Sequence, residues 1–168
     1  LILFFIILFL KFKMNIYKNI LKNNLPKLLA LFNYDPTSKT YGFADRLYWG
    51  WKIIDFPNAT MQGIIHSLSI AYNIGLYTNK QFLLKTIDAA FLATKIITNK
   101  KGSLCEAYPN ENSFCVTALV AYDLLSCIEQ LSSLLSNEKK KFYLDIIAPL
   151  ISFISKHEEK HAIISNHL

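Results

Sequence analysis

Both tryptophans of the chain, Trp49 and Trp51, lie within residues 41–57, together with Tyr41, Phe43, Tyr48, Phe56, Asp45, Asp55, Arg46 and Lys52. Aromatic faces stack on the apolar CH faces of sugar rings, and charged groups bind the hydroxyl rim, so a carbohydrate is the first ligand class this set suits. Tyr48, Trp49, Trp51 and Tyr108 are the expected stacking platforms. Arg46 and Lys52 are the expected partners of an acidic sugar's carboxylate. The same residues have a plain structural use: tryptophans anchor cores, and Arg46 can pair with Asp45 or Asp55.

Six carboxylates accompany the aromatics: Asp45 and Asp55, then Glu106 and Glu111, then Glu158 and Glu159. Glycoside hydrolysis needs one carboxylic acid to protonate the leaving oxygen and a second as base or nucleophile, about 5 to 9.5 Å away. Asp45 and Glu106 are the favoured pair, because aromatic and small neighbours can desolvate one of them and raise its pKa, with Glu111 as a further candidate. The competing assignment is surface carboxylates and helix caps. A lyase would instead use a Tyr or His base, for which Tyr48, His66 and His167 are candidates. His66 falls inside a helical stretch, where a hydrogen-bonded core histidine is the simpler role.

A different chemistry is spelled by His157-Glu158-Glu159-Lys160-His161, which fits the H-E-x-x-H pattern of zinc peptidases. There two imidazoles one helical turn apart hold the metal and the glutamate activates water. Charged neighbours and a position at the end of a helix argue for a solvated loop instead, so no metal or other cofactor is expected. Cys105, Cys115 and Cys127 are odd in number and lack C-x-x-C spacing, so neither a disulfide framework nor a zinc knuckle is indicated. The formal charge of +6 rests on scattered lysines, with Arg46 the only arginine. Nucleic acid is not an expected partner, since arginine usually leads phosphate and base contacts.

The elements that must position these residues are helices. Residues 15–32 carry apolar positions at three- and four-residue intervals, with Pro26 bending or splitting the run. Residues 58–77 and 113–132 are apolar on most faces and nearly uncharged. Residues 80–98 and 138–156 have one apolar face and one lysine-rich face, with a kink expected at Pro149. Inner and outer helices thus alternate. Tight turns at Asn79 and Asn137 lead from inner to outer, while long segments ending in Pro57-Asn58, Pro109-Asn110 and Ser165-Asn166 lead back. These asparagines read as N-caps, or as hydrogen-bonding partners for a ligand. Their spacing of 110 − 58 = 52 and 166 − 110 = 56 residues signals a helical-hairpin repeat. Parallel inner helices would gather the long loops 41–57, 99–112 and 157–166 on one face, where function concentrates.

This alternation resembles the α/α toroid of six-hairpin glycosidases and of the helical domain of heparinase II/III-like lyases. The phrases from Phe43 to Trp49, Ile54 to Asn58, Glu106 to Phe114 and Ile164 to Leu168 are similar to segments of toroid proteins from bacterial surface-polysaccharide clusters. The resemblance implies an all-α fold of antiparallel helical hairpins forming part of a toroid, cut at the C-terminus. It also implies a glycoside hydrolase or lyase, or a non-catalytic helical-repeat binding module, whose partner is an oligo- or polysaccharide. Asn110, His161, Asn166 and His167 join the expected sugar contacts.

Residues 41–168 are the expected toroid part, and residues 14–40 an N-terminal helix and linker. Residues 1–13 begin with ten apolar residues, too short to span a bilayer of about 30 Å and without the flanks of a signal peptide. They read as an anchor remnant or as sequence ahead of Met14, outside the fold. A cytoplasmic site is expected, or a periplasmic one if that remnant is a cut signal. Oligomeric state is open.

Overall fold

The structure, a computed structural model, describes residues 2–159, with side chains from residue 15 onward. It is all-helical: among the described residues the only β pairing is an isolated antiparallel bridge between Leu104 and Ser113. The helices are α1 (Ile2–Leu29), the short α2 (Arg46–Trp49), α3 (Ile64–Asn73), α4 (Lys80–Ile97), α5 (Phe114–Gln130) and α6 (Asn137–Ile154), with a 3-10 turn, Ala59–Gly63, leading into α3. Pro26 lies inside α1 and Pro149 inside α6, and neither ends its helix.

The two nearly uncharged helices, α3 and α5, pack against each other. The lysine-faced α4 and α6 pack on α3 and α5 respectively and touch one another, while α1 packs on α3. One core joins them. Leu25, Leu29 and Phe32 from the N-terminal segment share it with Ile65, Leu68, Leu83, Phe91, Leu124, Ile147 and Leu150. Each such side chain contributes about 1.5 to 3 kcal/mol on leaving water. Phe91 of α4 stacks on Tyr143 of α6 at 3.7 Å between centroids. The Tyr143 hydroxyl donates to Asp88, whose carboxylate also takes Lys139 at 2.8 Å.

The caps follow the sequence at some junctions and depart at others. Asn58 caps the 3-10 turn through the Thr60 amide, and Asn79 caps α4 through that of Phe82. Asn137 opens α6 but its cap is Ser136, and the cap of α5 is Ser113, not Asn110. Asn110 instead takes a left-handed φ of 63° in the loop. Asparagine tolerates that region because its short side chain can bond locally, so Pro109-Asn110 turns the chain and does not start the helix.

Two glycines lock the long loops to the scaffold in the same way. Gly42 has φ +80°, and a Cβ there would sit 2.1 Å from the Ala89 carbonyl oxygen on α4. Gly102 has φ +83°, and a Cβ there would sit 2.3 Å from the Pro149 carbonyl oxygen on α6. Only glycine fits the dihedral and the approach together. The spacings are identical, 89 − 42 = 47 and 149 − 102 = 47, so the contact recurs after 60 residues.

Packing is not closed on every side. Along α5, Leu119 (51% exposed), Tyr122 (65%) and Leu125 (38%) make an apolar stripe open to solvent.

Candidate functional site

The loop 41–57 is built around the end of α1. Three successive carbonyls at its C-terminal end, those of Leu29, Ala30 and Leu31, accept from side chains. The Tyr34 hydroxyl donates to Leu29 at 2.7 Å, the Arg46 guanidinium to Ala30 at 3.0 Å, and the Trp49 indole to Leu31 at 2.7 Å. Arg46 lies 5.7 Å from the centroids of both Trp49 and Trp51, between the two rings. A cation at a helix C-terminus is favoured by the macrodipole, and the flanking π faces hold it there. Burial pushes the Tyr34 phenol up to about 12, so it stays a donor. Arg46, expected to pair with a sugar carboxylate, is thus engaged by the fold, as is the indole N–H of Trp49.

Asp45 is buried and holds two ends of the loop. One carboxylate oxygen accepts from the Leu47 amide at 3.1 Å, capping α2, and the other accepts from the Asn58 amide at 2.8 Å. Gln62, fully buried, works beside it. It accepts from the Ala44 amide and donates to the Gly42 and Ala90 carbonyls, pinning the loop to α4.

Outside this frame lies an open cleft of about 810 Å³ lined by Ser38, Thr40, Tyr48, Trp49, Lys52, Ile53, Ile54 and Asp55. Two rings, an ammonium, a carboxylate and two hydroxyls meet there. Lys52 sits at φ 52°, in the left-handed region that a long side chain rarely occupies, and such strain concentrates at functional sites. Trp51 is 61% exposed and stands off this cleft, bound to Arg46.

The next connection adjoins. A cleft of about 290 Å³ lies between Tyr48, Phe56 and Pro57 of the first loop and Cys105, Pro109 and Asn110 of the second. The Ala59 amide donates across it to the Cys105 carbonyl at 3.0 Å. Glu111 folds back on its own loop, one oxygen accepting from the amides of Glu106 and Ala107 at 2.7 and 2.8 Å. Glu106 is half-buried, and Tyr108 is 49% exposed. Asn99, Ser103 and Asn112 form the polar knot that shapes this loop. Burial pushes the Cys115 thiol up, and the neighbouring charges of Glu106 and Glu159 push the same way.

The third connection follows. Glu159 accepts from the Cys115 amide at 3.2 Å, and a cleft of about 140 Å³ joins Lys101, Glu111 and Phe114 to Phe153, His157 and Glu158. Helix α6 ends at Ile154, so His157, Glu158 and Glu159 lie in irregular chain. His157 stacks on Phe153 at 4.2 Å, and its Nδ1–H donates to the Phe153 carbonyl at 2.8 Å. Among the described residues no three His, Cys, Asp or Glu side chains gather as a metal site. His161, Asn166 and His167 lie outside the described residues.

His66 is not a core residue. It stands in the first turn of α3, a quarter exposed, with Nδ1 3.1 Å from the Asp123 carboxylate of α5. Burial raises the Asp123 carboxyl, and the His66 bond partly offsets it. Gly63 makes room, since a Cβ there would meet Asp123 Oδ2 at 2.2 Å.

Ser38, Thr40, Ile53 and Ile54 of the cleft, and Gln62 beneath it, escape a reading of motifs. Residues 33–40 carry Asp35-Pro36 and small polar residues, which signal a turn and say nothing of what the turn faces. The search of protein families, of characterised proteins and of solved structures returns no match to this chain.

Proposed function

We propose that this chain is a carbohydrate-binding segment of an α/α toroid, holding an acidic oligosaccharide in the cleft of residues 38–55. The carrying observation is the lining of that cleft: Tyr48 and Trp49 as ring platforms, Lys52 for a sugar carboxylate, and Asp55 with Ser38 and Thr40 for hydroxyls. Bacterial surface polysaccharide is the substrate class the reading points to.

The toroid part of the reading is supported by the order of the helices and by the packing of α3 on α5 and of α4 on α6. The 47-residue glycine lock, occurring twice, supports a hairpin repeat more directly than the Pro-Asn spacing does. Binding is favoured over hydrolysis because Asp45 spends both oxygens on backbone amides, and Glu111 spends one on two. A general acid must have its proton free to give.

Calorimetric titration with neutral and acidic oligosaccharides tests the reading. Acidic oligomers should bind, Tyr48→Ala should weaken them about tenfold, and no new reducing ends or unsaturated products should form. New reducing ends would make the chain a hydrolase. Absence of binding across the panel would end the carbohydrate reading.

A further inference from the structure

The chain's charge is not spread evenly. Lys11, Lys13, Lys18, Lys22 and Lys27 precede the first acid, Asp35, so residues 1–34 carry +5 of the net +6, and the remaining 13 cations and 12 acids leave +1. Those five lysines all fall on α1. Its C-terminal part packs on the core through Leu21, Leu25 and Leu29. Residues 15–20 are exposed one after another, with Ile16 at 42%, Tyr17 at 67% and Ile20 at 54%. Lys18 and Lys22, one helical turn apart, are exposed beside them. Among the described residues the ion pairs are His66 with Asp123 and Lys139 with Asp88, neither on α1. An apolar groove of about 680 Å³ runs between α1 and α3, lined by Tyr17, Ile20, Leu21, Ile70 and Ile74 among others.

We infer that α1 docks this protein on an anionic lipid surface. Residues 2–10 of the same helix are wholly apolar by sequence. No helix among the described residues is long and apolar enough to cross a membrane. The contact is interfacial in kind: Lys18 and Lys22 lie at the level of the lipid phosphates, and Ile16, Tyr17 and Ile20 meet the apolar boundary. A second copy of the chain is the poorer occupant, because it would set +5 against +5, and the rest of the molecule offers no compensating excess of acid. This inference is independent of the carbohydrate cleft.

The test is co-sedimentation of the full chain with vesicles of phosphatidylcholine, alone or with about one-third phosphatidylglycerol. Binding to the mixed vesicles that falls as salt rises is the expected result. The double variant Lys18→Gln with Lys22→Gln should bind roughly 25-fold more weakly, at about fivefold per lysine, and Ile16→Ser with Ile20→Ser should weaken binding as well. Both pairs are solvent-exposed, and unchanged circular dichroism confirms that the fold is kept. No binding to anionic vesicles would overturn the inference. So would equal binding by the double-lysine variant, or a dimer through α1 that excludes vesicles.

Discussion

Asp45 shows how one side chain can look catalytic and be structural. Its partners, the amides of Leu47 and Asn58, stand 2 and 13 residues along the chain, and the second is adjacent only once the loop has closed. Asp45→Ala removes a cap and leaves a half-buried amide without a partner, so urea denaturation should show a loss of about 2 to 3 kcal/mol. Arg46 and Trp49 teach the same lesson. A guanidinium among indoles serves a sugar or a helix end equally well, and residue types alone do not separate the two. Cys127 gives a second test at this scale. Burial pushes its thiol from 9.0 up to about 12, so the unfolded chain loses that proton first. The associated stability is intact below pH 9 and declines as pH rises toward 12. A thiol reagent at mildly alkaline pH should label Cys105 readily and Cys115 more slowly. It should reach Cys127 only after urea is added.

The helices were legible because apolar spacing near 3.6 residues survives any detail of the loops. Residues 80–98 and 113–132, read from that spacing, correspond to Lys80–Ile97 and Phe114–Gln130. The caps were half legible. Asn58 and Asn79 act where their type suggests, whereas Ser113 displaces Asn110 because Glu111 and Asn112 add a turn between them. The glycine lock was open to inspection in a chain with five glycines, but its meaning needed the facing carbonyls. It also yields the sharpest prediction for an element. Gly42→Ala and Gly102→Ala each force a Cβ into a left-handed backbone against a helix carbonyl. Each should cost about 3 kcal/mol or more, read as a fall in the urea midpoint, while Gly75→Ala, with open space around it, should cost about 1 to 2.

At the scale of the molecule, the three long connections touch in order. The first meets the second across the cleft between Tyr48 and Phe56 on one side and Cys105 and Pro109 on the other, and the second meets the third where Lys101 and Glu111 share a cleft with His157 and Glu158. The opposite requirement, a covered face for every nearly uncharged helix, is unmet along α5 at Leu119, Tyr122 and Leu125. A stripe of this kind drives association, so the chain should self-associate and bind a hydrophobic dye. Leu119→Glu with Tyr122→Glu should reduce both, with stability changed by less than about 0.5 kcal/mol, as light scattering and urea titration would show. That the chain is helical was visible in sequence. Which faces remain open was not, because exposure depends on neighbours.

Trp49 lines the cleft, and Trp51 stands outside it, so the tryptophans allow a direct reading of the central claim. In a Trp51→Phe chain the emission of Trp49 alone should shift saturably as an acidic oligosaccharide is added. Asp55→Asn in that background should move the midpoint about tenfold higher. An emission that stays constant through neutral and acidic oligosaccharides alike would contradict the account.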